Sequence, residues 1–275
     1  RSLGGGRFGV RTMLSAEPEH GCWGSQALTL EALTSQARPW LRTLELDRWM
    51  MTEPLEEASG RARLAHRLKG SMHEAEIQLG SLERLWAIAP RLQHLVIAQA
   101  QELELGHVDA PHLRTLCLGL TPVGRPQLEA LAEARAPALT WLELRLQREA
   151  WRKEELDAGA LAELFQSPAL AKLEHLGLYG TGPGGLTANG DAVLELLATW
   201  PRLAQLKSLD LGGLHASPYG WRRFVEARPP LKWLRLSKSA VRDPEWLRAV
   251  LPVEWRRPEG AELRLDGEAE AGGLE

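Results

Sequence analysis

Three groups of residues carry types and spacings that could do chemistry. Residues 180–185 read Gly-Thr-Gly-Pro-Gly-Gly, a GxGxxG match after a strand-like run, and Asp210 on the next such run stands where a ribose-binding acid would be sought. This would make the chain a nucleotide-dependent enzyme. Pyrophosphate, however, needs a helix N-terminus at the third glycine. Here the helical pattern starts only at 189–191, so residues 180–190 read as an exposed, flexible connection without a ligand. The second group is the histidines and cysteines. His94 and His175 are separated by whole intervening segments, too many for one ion to bridge. They read as solvated surface residues. Cys22 and Cys117 form no CxxC or Cys/His ligand spacing, and no Lys or Arg adjoins Cys117 to activate it. HExxH, GxSxG and P-loop motifs are absent from the sequence. No catalytic residue, metal or cofactor is therefore assigned, and the chain is not read as an enzyme.

The third group is basic. Residues 228–257 hold Arg228, Lys232, Arg235, Lys238, Arg242, Arg248, Arg256 and Arg257, interleaved with Trp233, Trp246 and Trp255. Such a stretch could track a nucleic-acid backbone, giving a nucleic-acid-associated scaffold as the first alternative function. The basic residues alternate with apolar positions, as any solvated face would show, so nucleic acid is not the favoured partner. A formal charge of −3 gives no global argument for an anionic partner. No apolar run approaches the ~18–20 residues of a membrane helix. Together with the sparse cysteines, this makes a cytoplasmic location the expectation.

What must position any such residues is a repeated pattern, LxxLxL. It occurs as LRTLEL (41–46), LQHLVI (92–97), LRTLCL (113–118), LTWLEL (139–144), LEHLGL (173–178), LKSLDL (206–211) and LKWLRL (231–236). EAEIQL (74–79) and AELRL (261–265) are weaker copies. Successive copies are spaced from 18 residues (Leu79 to Ile97) to 34 (Leu144 to Leu178). That range surrounds the ~20–29 residues of leucine-rich repeats. Each copy predicts a short strand whose leucines point inward, and Leu116, Leu142, Leu176 and Leu209 should stack in register. Between strands, Pro126 opens a helix carrying Leu128 and Leu131. Asp157 caps one with Leu161, Leu164 and Phe165, and Asp191 leads one with Val193, Leu194, Leu196 and Leu197. Ser217-Pro218 and Asp243-Pro244 are N-cap signatures. Residues 102–105 are too few for a helix and should cross the helical side in extended form.

The run LELGHVDAPHLRTLCLGL, with LEALAEARAPALTWLEL, PALAKLEHLGLYG and LAQLKSLDLGGL, resembles the bacterial leucine-rich repeat proteins of ribonuclease-inhibitor-like type. These are often associated with WGR or repeat-companion modules. The resemblance covers roughly residues 40–250. It implies an α/β leucine-rich repeat solenoid, a horseshoe with a curved parallel sheet on the concave side and helices or extended turns on the convex side. It also implies a cytoplasmic, non-catalytic protein-binding scaffold. The family's Asn at the ninth position is replaced here by Trp49, Ala100, Thr121, Gln147, Thr181, Leu214 and Ser239, so an incomplete stacking ladder is expected. Residues 1–27 read as a lead-in, part of a truncated first repeat, 28–266 as the solenoid and 267–275 as a disordered tail.

Strand side chains alternate, so the third, fifth and seventh positions of each copy share the outward face. The third-position row runs Thr43, Glu76, His94, Thr115, Trp141, His175, Ser208, Trp233; the fifth includes Cys117, Glu143, Gly177, Asp210 and Arg235. Aromatic and Arg residues are enriched where binding energy concentrates. Trp141, Arg145, His175, Tyr179, Trp233 and Arg235 are accordingly the predicted contact residues for a protein partner of unknown identity.

Overall fold

The structure, a computed structural model, describes residues 39–46, 78–97, 101–146, 158–180, 190–212, 216–227, 233–237 and 262–266, with single residues 35, 37, 214 and 231 besides. The predicted lead-in (1–27), the tail (267–275), most of the Gly-rich turn, the caps at Asp157 and Asp243, and most of the basic stretch lie outside these residues.

The architecture is α/β. Ten strands are described: β1 (Thr43–Leu46), β2 (Gln78–Ser81), β3 (His94–Ile97), β4 (Gln101–Glu104), β5 (Thr115–Val123), β6 (Trp141–Leu146), β7 (His175–Gly180), β8 (Ser208–Leu211), β9 (Trp233–Ser237) and β10 (Glu262–Asp266). Eight form one parallel sheet in the order β1-β3-β5-β6-β7-β8-β9-β10, so neighbours in space follow one another along the chain. β2 and β4 make a separate parallel pair. This corrects the reading of EAEIQL as a member of the main series: Thr43 pairs directly with His94, and Gln78 pairs with Gln101 in the separate sheet. The segment lacks the leucine at the first position of the pattern. Its described part, from Gln78, belongs to β2 and pairs with residues 101–104, which are extended as expected.

Helices connect the strands: α1 (Glu83–Ile88), α2 (Arg125–Ala132), α3 (Ala158–Gln166), α4 (Gly190–Thr199) and α5 (Pro218–Glu226). Three of them bury apolar residues expected from the sequence: Leu128 and Leu131 on α2, Leu161, Leu164 and Phe165 on α3, and Val193, Leu194 and Leu197 on α4, where the expected Leu196 is only partly buried. α5 starts at Pro218 with Ser217 Oγ accepting from Gly220 N at 3.3 Å. Asp191 does more than lead its own helix. Its carboxylate receives Ser217 N and Ser217 Oγ, both at 2.6 Å, and so ties the start of α5 to the start of α4.

The core lies between sheet and helices. Leu116, Leu142, Leu176 and Leu209 pair in register across β5, β6, β7 and β8, and none is more than 1% exposed. Stacking is regular at the strand entries, whereas the register of β5 against β6 shifts between Leu118 and Pro122, beside the ninth-position Thr121. At each strand entry one carbonyl accepts two amides of the next strand: Arg42 O from Gln93 and His94, Gln93 O from Arg114 and Thr115, Arg114 O from Thr140 and Trp141, Thr140 O from Glu174 and His175, Glu174 O from Lys207 and Ser208. Every one of these bonds is 2.7–3.1 Å long. The backbone itself supplies this ladder, so between Arg42 and Ser208 it does not depend on a ninth-position Asn.

A second recurrent feature escaped the sequence reading. Ala89-Pro90-Arg91-Leu92, Ala110-Pro111-His112-Leu113 and Ala136-Pro137-Ala138-Leu139 are turns closed by a bond from the leucine amide to the first alanine carbonyl, at 2.9, 3.0 and 3.0 Å. Proline pre-sets the second position of such a turn. The buried alanine lets the chain pass close beneath the sheet before each strand.

Candidate functional site: a buried polar cluster on the outward sheet face

The parallel register brings the outward positions of neighbouring copies side by side. One row runs Thr115, Trp141, His175, Ser208, Trp233; the next runs Cys117, Glu143, Gly177, Asp210, Arg235; Arg145 pairs with Tyr179 in a third. Parallel neighbours lie ~4.8 Å apart, within side-chain reach.

Two carboxylates organise the face. Glu143 is 3% exposed. Its Oε2 accepts from Cys117 Sγ at 3.1 Å, its Oε1 accepts from Trp141 Nε1 at 2.8 Å, and His175 Nε2 lies 3.3 Å from Oε1. Burial pushes the Glu143 carboxyl up, but the His175 imidazole, with Cys117 and Trp141, outweighs it and holds the pKa below the ordinary value. The other nitrogen of His175, Nδ1, sits 2.6 Å from Ser208 Oγ, and the imidazole is stacked under the Trp141 indole at 3.5 Å between centroids. Further along the row, His94 Nδ1 meets Thr115 Oγ1 at 3.0 Å.

Asp210 is the second centre, 2% exposed. Oδ1 accepts the Gly212 amide at 3.1 Å; Oδ2 accepts from Tyr179 Oη at 3.1 Å and from Arg235 at 3.2 Å. Burial raises its pKa to about 6, against the opposing pull of Arg235. The Tyr179 ring can lie over the sheet because Gly177 leaves room. A Cβ there would stand 2.9 Å from Glu143 Cγ and 3.0 Å from Tyr179 Oη. Gly212 would crowd the same ring at 3.2 Å. Burial also lowers the Arg145 pKa.

This geometry corrects the expectation that the outward histidines are solvated. His175 is 4% exposed and His94 half-buried, and Cys117 is covered as well. The cause is the mixture of side-chain sizes on the face. The Trp141 ring lies flat on its neighbour His175, and Tyr179 bends back over Gly177, so shorter polar groups are roofed by longer ones. Of the predicted contact residues, Trp141, Arg145, His175, Tyr179 and Arg235 are brought into one connected patch. Trp233 joins it in backbone register with Ser208. The sequence reading missed Glu143, Asp210 and Ser208 as the groups that fix this patch. The signal was the strand register, which places each carboxylate beside the His or Arg of the adjoining copy.

Tyr179 ionisation reports the cluster directly. Burial, then the charges of Asp210 and Glu143, raise its pKa well above 10.0. The phenolate absorbance that disappears in Tyr179→Phe should therefore emerge only at pH well above this value. Emergence at or below it would mean that the ring is not roofing Asp210.

Among the described residues, no three His, Cys, Asp or Glu side chains could jointly hold a metal ion, and no helix is long and apolar enough to cross a membrane. α4 is described from Gly190, and Gly185 with the rest of the GxGxxG match after Gly180 lies outside the described residues.

No protein-family model matches the chain, and no curated protein matches it. Among solved structures it is similar to a Bacteroides fragilis protein determined as a structural-genomics target, with 16% identity and a TM-score of 0.56 over 87% of this chain and 69% of that one. At this identity the likeness concerns the α/β fold alone.

Proposed function

We propose that the chain is a leucine-rich repeat solenoid, with its parallel sheet on the concave side of a horseshoe, and that it serves as a cytoplasmic, non-catalytic protein-binding scaffold. The recurrent LxxLxL strands and the carbonyl ladder support the solenoid reading. The observation that carries the functional reading is the preorganised patch on the outward face. Trp141 and Tyr179 are each locked by a hydrogen bond to a buried carboxylate. Aromatic side chains already fixed in place lose little conformational entropy when a partner covers them. Aromatic and Arg groups at the centre of a contact surface also carry most binding energy.

The test is quantitative capture of partner by the full chain. Trp141→Ala with Trp233→Ala should weaken it by roughly 10³-fold, at about 2 kcal/mol per centre residue. Arg222→Ala, exposed on α5, should leave it unchanged. Thermal midpoints on the same preparations separate loss of the surface from loss of the fold. Undiminished capture by the folded double variant would refute the assignment of this face.

A further inference from the structure

We propose that Ser208 is an activated nucleophile on the outward face, a site of covalent acylation at which His175 takes the serine proton and Glu143 positions His175. The inference goes beyond the docking reading and does not rest on it. A single acylation of the chain is a modification and needs no turnover, so it is compatible with a non-catalytic scaffold.

Three neighbouring strands bring the groups together. Trp141 of β6, His175 of β7 and Ser208 of β8 stand in register, and Glu143 lies two places further along β6 on the same face. Ser208 Oγ is 2.6 Å from His175 Nδ1, and His175 Nε2 is 3.3 Å from Glu143 Oε1. These two neighbours fix the tautomer. A lone pair on Nε2 would face the Glu143 carboxylate, so the ring proton sits there. Nδ1 then carries the lone pair, and the Ser208 hydroxyl donates to it. Hydroxyl, base and a carboxylate behind the base is the order that activates a serine.

The surroundings hold this order. Glu143 is 3% exposed and is gripped at both oxygens, by Cys117 Sγ at 3.1 Å on Oε2 and by Trp141 Nε1 at 2.8 Å on Oε1. The Trp141 indole lies 19° from parallel over the imidazole and fixes the plane of the ring. His175 is 4% exposed, so little water reaches the base. Ser208 is half-buried and is reached from the outward face.

The reaction that fits is attack on a carboxylic ester. The Ser208 Oγ–carbon bond forms as the ester C–O bond breaks. The serine proton passes to His175 Nδ1 and from there to the departing alkoxide. The products are an O-acyl serine and an alcohol, with no change of oxidation state.

An alkyl fluorophosphonate tests the nucleophile on the full chain. Oγ bonds to phosphorus, the P–F bond breaks, and fluoride leaves with the serine proton. Labelling rates at single serines are read by peptide mass spectrometry, with the exposed Ser81 as reference within the same chain. Ser208 should label at least about 10²-fold faster than Ser81, the scale of general-base assistance. This comparison needs no variant and so cannot be confused with misfolding. In folded His175→Gln the rate at Ser208 should fall to that of Ser81. Glu143→Gln should slow labelling and move its pH profile to lower pH, because a neutral amide no longer favours the imidazolium. Labelling of wild-type Ser208 no faster than Ser81 would overturn the proposal, and so would an undiminished rate in folded His175→Gln or an unmoved pH profile in folded Glu143→Gln. Since no partner is captured, these results are separate from the fate of the docking reading.

Discussion

Leu142→Ala is expected to lower stability by about 2–5 kcal/mol, toward the upper end of that range. Leu142 is fully buried and stands between Leu116 and Leu176 in the central stack. Truncation removes three carbons from the apolar core and leaves their volume behind. The site is poorly placed to collapse, because every neighbouring strand is pinned by the carbonyl ladder at 3.0 Å on one side and 2.9–3.0 Å on the other. An apolar void of about 10 Å³ already adjoins Leu142, together with Leu116, Leu164 and Leu170. The new cavity would merge with it, and destabilisation grows with residual cavity volume. Leu142→Met, which conserves volume, should cost less than about 1.5 kcal/mol. Denaturant midpoints with unchanged slopes give both numbers. A loss under about 0.5 kcal/mol for the alanine variant would be incompatible with the register described here.

Glu143→Ala should be comparably damaging, about 3–5 kcal/mol at neutral pH. The figure is large because removal of the carboxylate leaves three groups that pointed at it: the Cys117 thiol, the Trp141 indole N–H and the His175 imidazole. Burial denies them water as a substitute partner. Glu143→Gln keeps an oxygen for Trp141 but loses the charge facing His175, so its cost should be smaller. The pH dependence has a definite sign. A depressed carboxylate pKa means that stabilisation is fully present above the unfolded value of 4.5 and is lost as pH falls through the lower folded value. The gap between wild type and Glu143→Gln should therefore close in strong acid. Asp210 acts in the opposite direction: its raised pKa favours the fold below 3.8, and that contribution is lost as pH rises through about 6. The wild-type profile sums the two, so only the single variants reveal them.

Much of the fold was legible because its determinants are local. Leucines at the first, fourth and sixth places of each copy, Pro126, Asp191 and Ser217-Pro218 mark strands and helix starts without reference to distant parts of the chain. EAEIQL misled because a period-two apolar pattern states that a segment is extended, not which sheet it joins. The choice between the main sheet and a pair with residues 101–104 is made by tertiary contacts. The patch residues were legible by type and face. Their burial was not, because it depends on where two rings lie. Trp141 stacks on His175 instead of standing out from the sheet, and Tyr179 folds over Gly177 to reach Asp210. Glycine at 177 reads in sequence as a missing contact; in the fold it is the space that admits the ring.

The central claim, that a partner docks on the outward sheet face, is tested most directly by site-specific photo-crosslinking of the full chain in extracts of its source. The photoreactive side chain is placed at Val96, half-buried on the β3 face and outside the bonded cluster, and in a second preparation at Tyr219, 68% exposed on α5 on the helical side. The account predicts a discrete adduct from Val96 that is lost in the Trp141→Ala, Trp233→Ala background, and no such adduct from Tyr219. A discrete adduct from Tyr219 alone, or one from Val96 that survives the double substitution undiminished, would contradict it.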